Sequence, residues 1–169
     1  MGQPLFHIVL HEPEIPNNTG NIGRTCIATG CALHLIRPLA FDTSEKACRR
    51  AGLDYWPRLQ PREHDSFDAY LAREAPPRLW FFTTKAAAPL WHANLQPGDH
   101  LVFGKETRGL PDALLARFPD RAVVLPMVPH ERSLNLATAV CAAVDEGLRQ
   151  LAQRGDVTLD PAGRLRPPG

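Results

Sequence analysis

The hydrophobic positions of the chain fall into short continuous runs rather than alternating with polar ones. These runs cover residues 5–10, 33–36, 79–83, 101–103 and 122–125. Runs of this length, closed by Gly, Pro or polar residues, are typical of strands that are buried on both faces, as in a parallel sheet. The pattern therefore predicts five strands of a mainly parallel sheet.

Between these runs, the spacing of apolar residues and the positions of capping residues indicate helices. Helices are predicted over 22–29, from about 42 to 51, over 66–74, from about 111, and over 133–153. The last of them carries one apolar stripe, which is either a core face or a dimer face and consists of Leu136, Val140, Val144, Leu148 and Leu151.

Alternating strands and helices predict an α/β fold, a mainly parallel sheet with helices on both faces. The length fits a single domain over residues 1–153, and the proline-rich residues 154–169 have no periodicity and are expected to form a loosely held, flexible tail. In such a sheet, ligands bind beyond the carboxyl ends of the strands. The loops after strands are therefore where chemistry is expected.

Composition changes this picture little. The formal net charge of +1 does not indicate a nucleic-acid binder. However, only three of the 19 basic residues are lysines, and the arginines that make up the rest bind phosphate better than lysine does. A G+C-rich genome is the alternative explanation of the arginines and of the 17 prolines. The four cysteines lack a metal-binding or redox spacing. No run is apolar enough to span a membrane, and we expect a cytoplasmic protein.

Three segments that follow predicted strands carry candidate chemistry. Residues 13–30 lead through Gly20 into a helix that bears Arg24. The start of this helix could bind phosphate. The segment lacks the GxGxxG pattern of dinucleotide-binding loops. This disfavours a nucleotide-binding oxidoreductase. Residues 101–115 contain Gly104, which would let a ligand approach the backbone, and Glu106, but no Walker motif.

The third segment, residues 123–140, passes through two prolines into the last predicted helix. Ser133 is a candidate N-cap of that helix. Asn135 stands between two leucines in the expected first turn, a position that helix propensity alone does not favour. Each of the three segments, taken alone, also has an ordinary structural explanation.

In combination, these segments resemble the motifs of the SPOUT RNA methyltransferases, and more narrowly the group that methylates the ribose of a tRNA wobble nucleotide. The similarity extends from about residue 6 to about residue 152. It rests on the stretches IVLHEPEIPNNTGNIGR, RRAGLDYW, TTK, FGKETRGLP and LPMVPHERSLNL.

The resemblance implies a homodimer with a deep C-terminal trefoil knot that binds S-adenosylmethionine. It implies that Arg24 is the catalytic residue, supported by Asn18, Glu106 and Asn135. The residues implied to hold the cofactor, largely through backbone groups, are Phe82, Thr83, Gly104, Leu125, Met127, Ser133 and Leu134.

The implied substrate is the anticodon stem-loop of leucine tRNAs, methylated at cytidine 34 or a modified uridine 34 without a metal ion. Candidate phosphate contacts are Arg49, Arg50, Arg62 and Arg132, and the histidines are interpreted as structural or solvated. One departure from the resemblance is Asp145, where an aromatic residue is expected. A methyltransferase acting on another RNA, and a non-catalytic RNA-binding module, remain as alternatives.

Overall fold

A central parallel sheet with helices on both faces organises the chain. The computed structural model describes residues 3–166, apart from the side chain of residue 45. Its strands are β1 (His7–His11), β2 (Ala32–Ile36), β3 (Arg62–His64), β4 (Leu79–Phe82), β5 (His100–Phe103), β6 (Ala122–Val123), β7 (Thr158–Leu159) and β8 (Leu165–Arg166). Its α-helices are α1 (Pro16–Thr29), α2 (Glu45–Arg50), α3 (Trp56–Leu59), α4 (Phe67–Glu74), α5 (Asp112–Ala116) and α6 (Leu136–Arg154).

The first six strands form one sheet in the order β3-β2-β1-β5-β4-β6, and every neighbouring pair is parallel. The predicted parallel sheet is therefore confirmed. From β1 the chain proceeds outward to β2 and β3, and then crosses to β4 and β5 on the other side of β1. This reversal, between β1 and β5, is where parallel sheets leave a crevice at their carboxyl ends.

Alternate residues of the strands pack into two apolar clusters, one on each face of the sheet. Ile8 and Leu10 join a cluster that includes Ile22 of α1 and Val144 of α6, while Val9 joins a cluster with Tyr70 of α4 and others. This alternation follows from the two-residue period of a strand. The predicted coverage of both faces by helices is confirmed.

Helix α1 begins at Pro16, six residues before the predicted start. Proline at the first helical position suits this start, because its missing N–H would have had no partner there. The predicted phosphate-binding loop is thus the first two turns of a helix. Gly23 on this helix packs against α3, because a Cβ at Gly23 would lie 2.8 Å from Leu59 Cδ2.

Two short elements, α3 and β3, lie in the stretch where no element was predicted. Their four and three residues are too few to show a periodic pattern. Strand β3 also carries charged and imidazole side chains, and its pairing to β2 is decided by the tertiary structure.

Helix α6 begins at Leu136, and Asn135 rather than Ser133 is its N-cap. The apolar stripe of α6 is a core face of the chain: Val140 and Leu151 are fully buried. Beyond Gly155, the expected loose tail forms the β7–β8 hairpin, and Val157 packs into the core. Within residues 3–166, no helix has the length and apolar character needed to cross a membrane.

Four histidines lie next to one another on the α4 face of the sheet, an arrangement that was not predicted; His34, His64 and His100 are buried and His7 is partly buried. His7 Nδ1 lies 2.9 Å from His34 Nε2, and His34 Nδ1 lies 3.1 Å from His64 Nε2. His100 stacks on His7 with ring centroids 4.0 Å apart. Burial lowers the pKa of His34 to about 2 and that of His100 to about 3, so these imidazoles are neutral.

Candidate active site

A cavity of about 720 Å³ opens at the carboxyl ends of β4, β5 and β6. Its walls are the loops that follow these three strands, together with the first turns of α1 and α6. Volumes of 300 to 1,000 Å³ are typical of small-molecule sites, and this edge is where parallel sheets bind ligands.

Residues predicted from four distant segments line this one cavity. All seven residues predicted to hold a cofactor are on its walls, namely Phe82, Thr83, Gly104, Leu125, Met127, Ser133 and Leu134. Asn18, Glu106, Asn135 and Arg132 line it as well. Arg24 is not among its lining residues.

Gly104 also has a structural role that was not predicted. Lys105 and Gly109 form an isolated antiparallel bridge, in which Gly109 N donates to Lys105 O at 2.9 Å. A Cβ on Gly104 would lie 2.1 Å from the carbonyl carbon of Gly109. Glycine is therefore required at 104 by the close approach of Gly109, and this tight turn shapes the cavity wall.

Glu106 takes the place of the missing N-cap of α1. Ile15, the residue at the N-cap position, makes no side-chain cap. Instead, the Glu106 carboxylate accepts hydrogen bonds from Glu14 N at 2.8 Å and Ile15 N at 3.1 Å. A negative charge is favourable at a helix N-terminus, so Glu106 joins the loop after β5 to α1.

A short chain of side-chain amides extends this connection to α6. Asn18 Nδ2 donates to Glu106 Oε1 at 3.2 Å, and Asn135 Nδ2 donates to Asn18 Oδ1 at 3.0 Å. Asn135 Oδ1 in turn accepts from Thr138 N at 3.2 Å and caps α6. The three residues predicted to support catalysis thus contact one another and hold two helix N-termini at the cavity.

Further polar contacts fasten the loop after β1 to the loop after β5. Thr107 N and Thr107 Oγ1 both donate to the Glu14 carboxylate, at 3.0 Å and 2.9 Å. Lys105 Nζ lies 2.8 Å from Glu12 Oε2. With Glu106, these contacts make the two loops one unit across the crevice between β1 and β5.

Arg24 lies on the exposed side of α1, six residues after Asn18 and therefore about 9 Å further along the helix axis. Its guanidinium carbon is 5.2 Å from the centroid of the Tyr55 ring. The Tyr55 hydroxyl donates to Gly20 O. Burial raises the pKa of Tyr55 and the Arg24 cation partly offsets this, so tyrosine stays neutral beneath the arginine.

The four arginines predicted to contact RNA are spread over the surface. Arg132 lies at the cavity, whereas Arg49 and Arg50 are in the last turn of α2. Arg62 begins β3, at the sheet edge opposite β6, and its Nη1 lies 2.7 Å from Glu74 Oε2.

Several lining residues were not predicted. Ile15, Phe103, Leu136 and Ala139 supply apolar wall, and Lys85 supplies a cation that pairs with Asp112. Phe103 immediately precedes Gly104 at the carboxyl end of β5, which is a signal that sequence alone offers. Lys85 follows β4 closely, whereas the places of Ile15, Leu136 and Ala139 depend on how α1 and α6 are positioned.

Comparisons with known proteins agree with this geometry. The family model described as SpoU rRNA Methylase family matches residues 5–144. A tRNA (cytidine(34)-2'-O)-methyltransferase of Saccharophagus degradans is 47% identical over 152 residues, covering 89% of this chain and 99% of that protein.

Solved structures share the fold. A structure described as giving insights into the 2-OH methylation of C/U34 on tRNA has a TM-score of 0.79 and 50% identity, over 88% of this chain and 97% of the other. The SpoU methyltransferase AviRb of Streptomyces viridochromogenes in complex with the cofactor AdoMet has a TM-score of 0.74 and 24% identity, over 90% of this chain and 60% of its own. From the match over residues 5–144 and the extent of these similarities, the chain belongs to the SpoU rRNA Methylase family.

Proposed function

We propose that the chain is a tRNA 2'-O-ribose methyltransferase that uses S-adenosylmethionine and modifies the wobble nucleotide, cytidine 34 or modified uridine 34, of leucine tRNAs. The observation that carries this proposal is the single cavity lined by all seven predicted cofactor residues. The similarity to a tRNA (cytidine(34)-2'-O)-methyltransferase across nearly the whole chain supports the substrate.

The cavity suits a ligand with an aromatic base and a polar amino-acid end. Phe82, Phe103 and Leu134 offer apolar wall to a base. Residues 125–135 form neither helix nor strand, which leaves backbone N–H and C=O groups of this loop for polar contacts. We assign the base, ribose and methionine contacts of S-adenosylmethionine to this wall and this loop.

The proposal includes a deep trefoil knot at the C-terminus. Helix α6 follows β6, the strand at one edge of the sheet, yet it packs against α1 next to β1. The chain between them therefore returns toward β1. We propose that it passes through the loop after β5, because threading through a loop is what makes a knot, and knots are otherwise rare.

When bound, S-adenosylmethionine supplies an activated methyl group, so the protein must position the ribose hydroxyl and manage its negative charge. We assign charge stabilisation to Arg24, because a guanidinium stays protonated and lowers the energy of a developing alkoxide. The proton of the ribose hydroxyl passes to solvent water. Glu106, Asn18 and Asn135 act as positioning residues, since they hold α1, which carries Arg24, against the cavity wall.

Arg132 at the cavity, together with Arg49 and Arg50, is proposed to contact tRNA phosphates. Arg62 belongs to the same proposal, although its guanidinium already pairs with Glu74. The proposed site of action is the cytoplasm. A homodimer is also proposed, with Asp145 on the exposed side of α6 in the region where an aromatic residue is expected.

The decisive experiment is methyl transfer from labelled S-adenosylmethionine to a leucine tRNA that lacks its wobble methyl group, with the product located by mass spectrometry. We expect the wild type to place a ribose methyl group at nucleotide 34. The rate of transfer should fall at least 100-fold in Arg24→Ala. It should be unchanged in Arg117→Ala, which alters a surface arginine paired with Asp68 on another helix. A methyl group at another nucleotide would contradict the substrate, and cofactor binding without transfer to any RNA would favour a non-catalytic module.

A further inference from the structure

Two of the clustered histidines, His34 and His64, lie apart from the cavity, at the sheet edge formed by β2 and β3. His34 is fully buried in the middle of β2, and His64, at the end of β3, is almost fully buried. Glu74 is the last residue of α4, and its side chain is 9% exposed. Three separate elements thus direct two imidazoles and one carboxylate toward the same point.

The three atoms that face this point have the spacing of a metal site. His34 Nδ1 and His64 Nε2 share a hydrogen bond of 3.1 Å, and Glu74 Oε1 lies 4.0 Å from the first and 3.8 Å from the second. A cation would replace the proton of that hydrogen bond, which moves to the other nitrogen of its ring or leaves. A point at equal distance from all three atoms lies about 2.1 Å from each, which is the bond length of zinc to imidazole nitrogen and carboxylate oxygen. We propose that His34, His64 and Glu74 bind a divalent transition-metal cation of the zinc class.

The groups behind two of the ligands are arranged as metal sites require. With Nδ1 of His34 bound to the cation, its Nε2–H can donate to His7 Nδ1, 2.9 Å away. The other oxygen of Glu74, Oε2, accepts from Arg62 Nη1 at 2.7 Å. Such outer contacts fix the tautomer of a ligating histidine and the orientation of a ligating carboxylate.

Among residues 3–166, the nitrogens nearest to Glu74 Oε1 face it without hydrogen-bonding to it. Three nitrogens face it, those of Arg73, His64 and His34, at 3.7, 3.8 and 4.0 Å. All three distances exceed hydrogen-bonding length. A cation between Oε1 and the two imidazoles would bind this oxygen, and the guanidinium groups of Arg62 and Arg73 partly neutralise the charge of the Glu74 carboxylate.

The position of the site indicates what the cation does. It joins β3, an edge strand of three residues, to its neighbour β2 and to the end of α4. Three protein ligands leave a fourth position for water on the side where Glu74 meets solvent. We assign the cation a role in holding this edge together, independent of the proposed methyl transfer.

The test uses the full chain, from which metal is first removed with EDTA. The chain is then titrated with Zn²⁺ by calorimetry, and the number of Zn²⁺ ions bound per chain is measured by elemental mass spectrometry. We expect one Zn²⁺ per chain, and a Kd at least tenfold higher in Glu74→Gln and in His64→Gln. His92→Gln, which alters an exposed histidine outside the cluster, should leave the Kd unchanged. Binding should also raise the Tm of the wild type and of His92→Gln, but not that of Glu74→Gln.

Absence of Zn²⁺ binding by the folded wild type, or equal affinity in Glu74→Gln, would overturn the site. Circular dichroism checks that each variant folds. If His64→Gln does not fold, Co²⁺ in the wild type decides, because a four-coordinate site gives intense visible absorption bands. A wild-type spectrum of hexahydrated Co²⁺ only would contradict the proposal.

Discussion

Single residues determine the shape of the cavity wall, and Gly104 has no room for a side chain. We expect Gly104→Ala to lower the free energy of unfolding by about 1 to 3 kcal/mol, because the new Cβ would overlap the backbone of Gly109. The Kd for S-adenosylmethionine should rise at least tenfold in calorimetric titration as the turn is displaced.

Gly52→Ala is the matched control for Gly104→Ala. Gly52 also follows an element and has a φ of +75°, but a Cβ there would meet open space. Its alanine variant should show only the backbone strain of about 1 kcal/mol. It should bind S-adenosylmethionine as the wild type does, and equal binding by both alanine variants would show that the Gly109 contact is not what shapes the site.

Glu106 is the second residue whose role follows from its contacts. In Glu106→Gln, one of the two oxygens that cap α1 becomes an amide donor and the charge at the helix N-terminus is lost. We expect a loss of about 1 kcal/mol in the free energy of unfolding. For a positioning residue, kcat should fall at least tenfold while the Kd for S-adenosylmethionine changes less than threefold.

The control for Glu106→Gln is Glu131→Gln, an exposed acid in the loop before α6. It should leave both kcat and stability unchanged. If Glu106→Gln lowers stability but kcat stays at the wild-type value, Glu106 is a helix cap and nothing more.

At the scale of elements, the start of α6 has two candidate N-cap residues, and their substitutions should differ in effect. Asn135→Ala should lower the free energy of unfolding by about 1 kcal/mol, because Thr138 N loses its acceptor, whereas Ser133→Ala should change it by less than about 0.5 kcal/mol. Urea denaturation of both variants measures the difference. The reverse order would mean that α6 begins two residues earlier, as the sequence pattern predicts.

Helices and strands are predicted correctly where a segment is long or continuously apolar. They are missed or misplaced where contacts with distant residues determine where an element begins or whether it forms. The apolar runs that became β1, β2, β4, β5 and β6 were all predicted. The start of α1 was placed six residues late, because its cap comes from Glu106, 88 residues after Asn18 in the chain. Strand β3 has no apolar pattern of its own and exists because β2 offers an edge.

At the scale of the whole molecule, the separation of Arg24 from the cavity of its own protomer has a consequence for the proposed dimer. If the partner supplies Arg24, two inactive variants should complement each other. We expect a mixture of Arg24→Ala with Leu134→Trp, which fills the cavity from an exposed wall position, to regain about a quarter of wild-type activity after subunit exchange.

Each variant alone should retain less than about 1/100 of the wild-type activity, which is the loss expected when a catalytic group is removed. Light scattering should give the mass of two chains. An inactive mixture of exchanged dimers would show that Arg24 serves the cavity of its own chain, which would require α1 to move when RNA binds.

Taken alone, the sequence determined the parallel α/β sheet, the family and the residues that would meet at one site. It could do so because continuous apolar runs of strand length and motif residues at strand ends are local features. Phe82, Gly104 and Leu125 were named from separate segments, and all three line the cavity.

Only the tertiary structure decided how distant groups complete one another. Gly104 is glycine because of Gly109, α1 is capped by Glu106, and His34 faces His64 and Glu74 across three elements. These relations depend on atoms brought within about 4 Å by the packing of the sheet and its helices, and no local pattern of residue types encodes such distances.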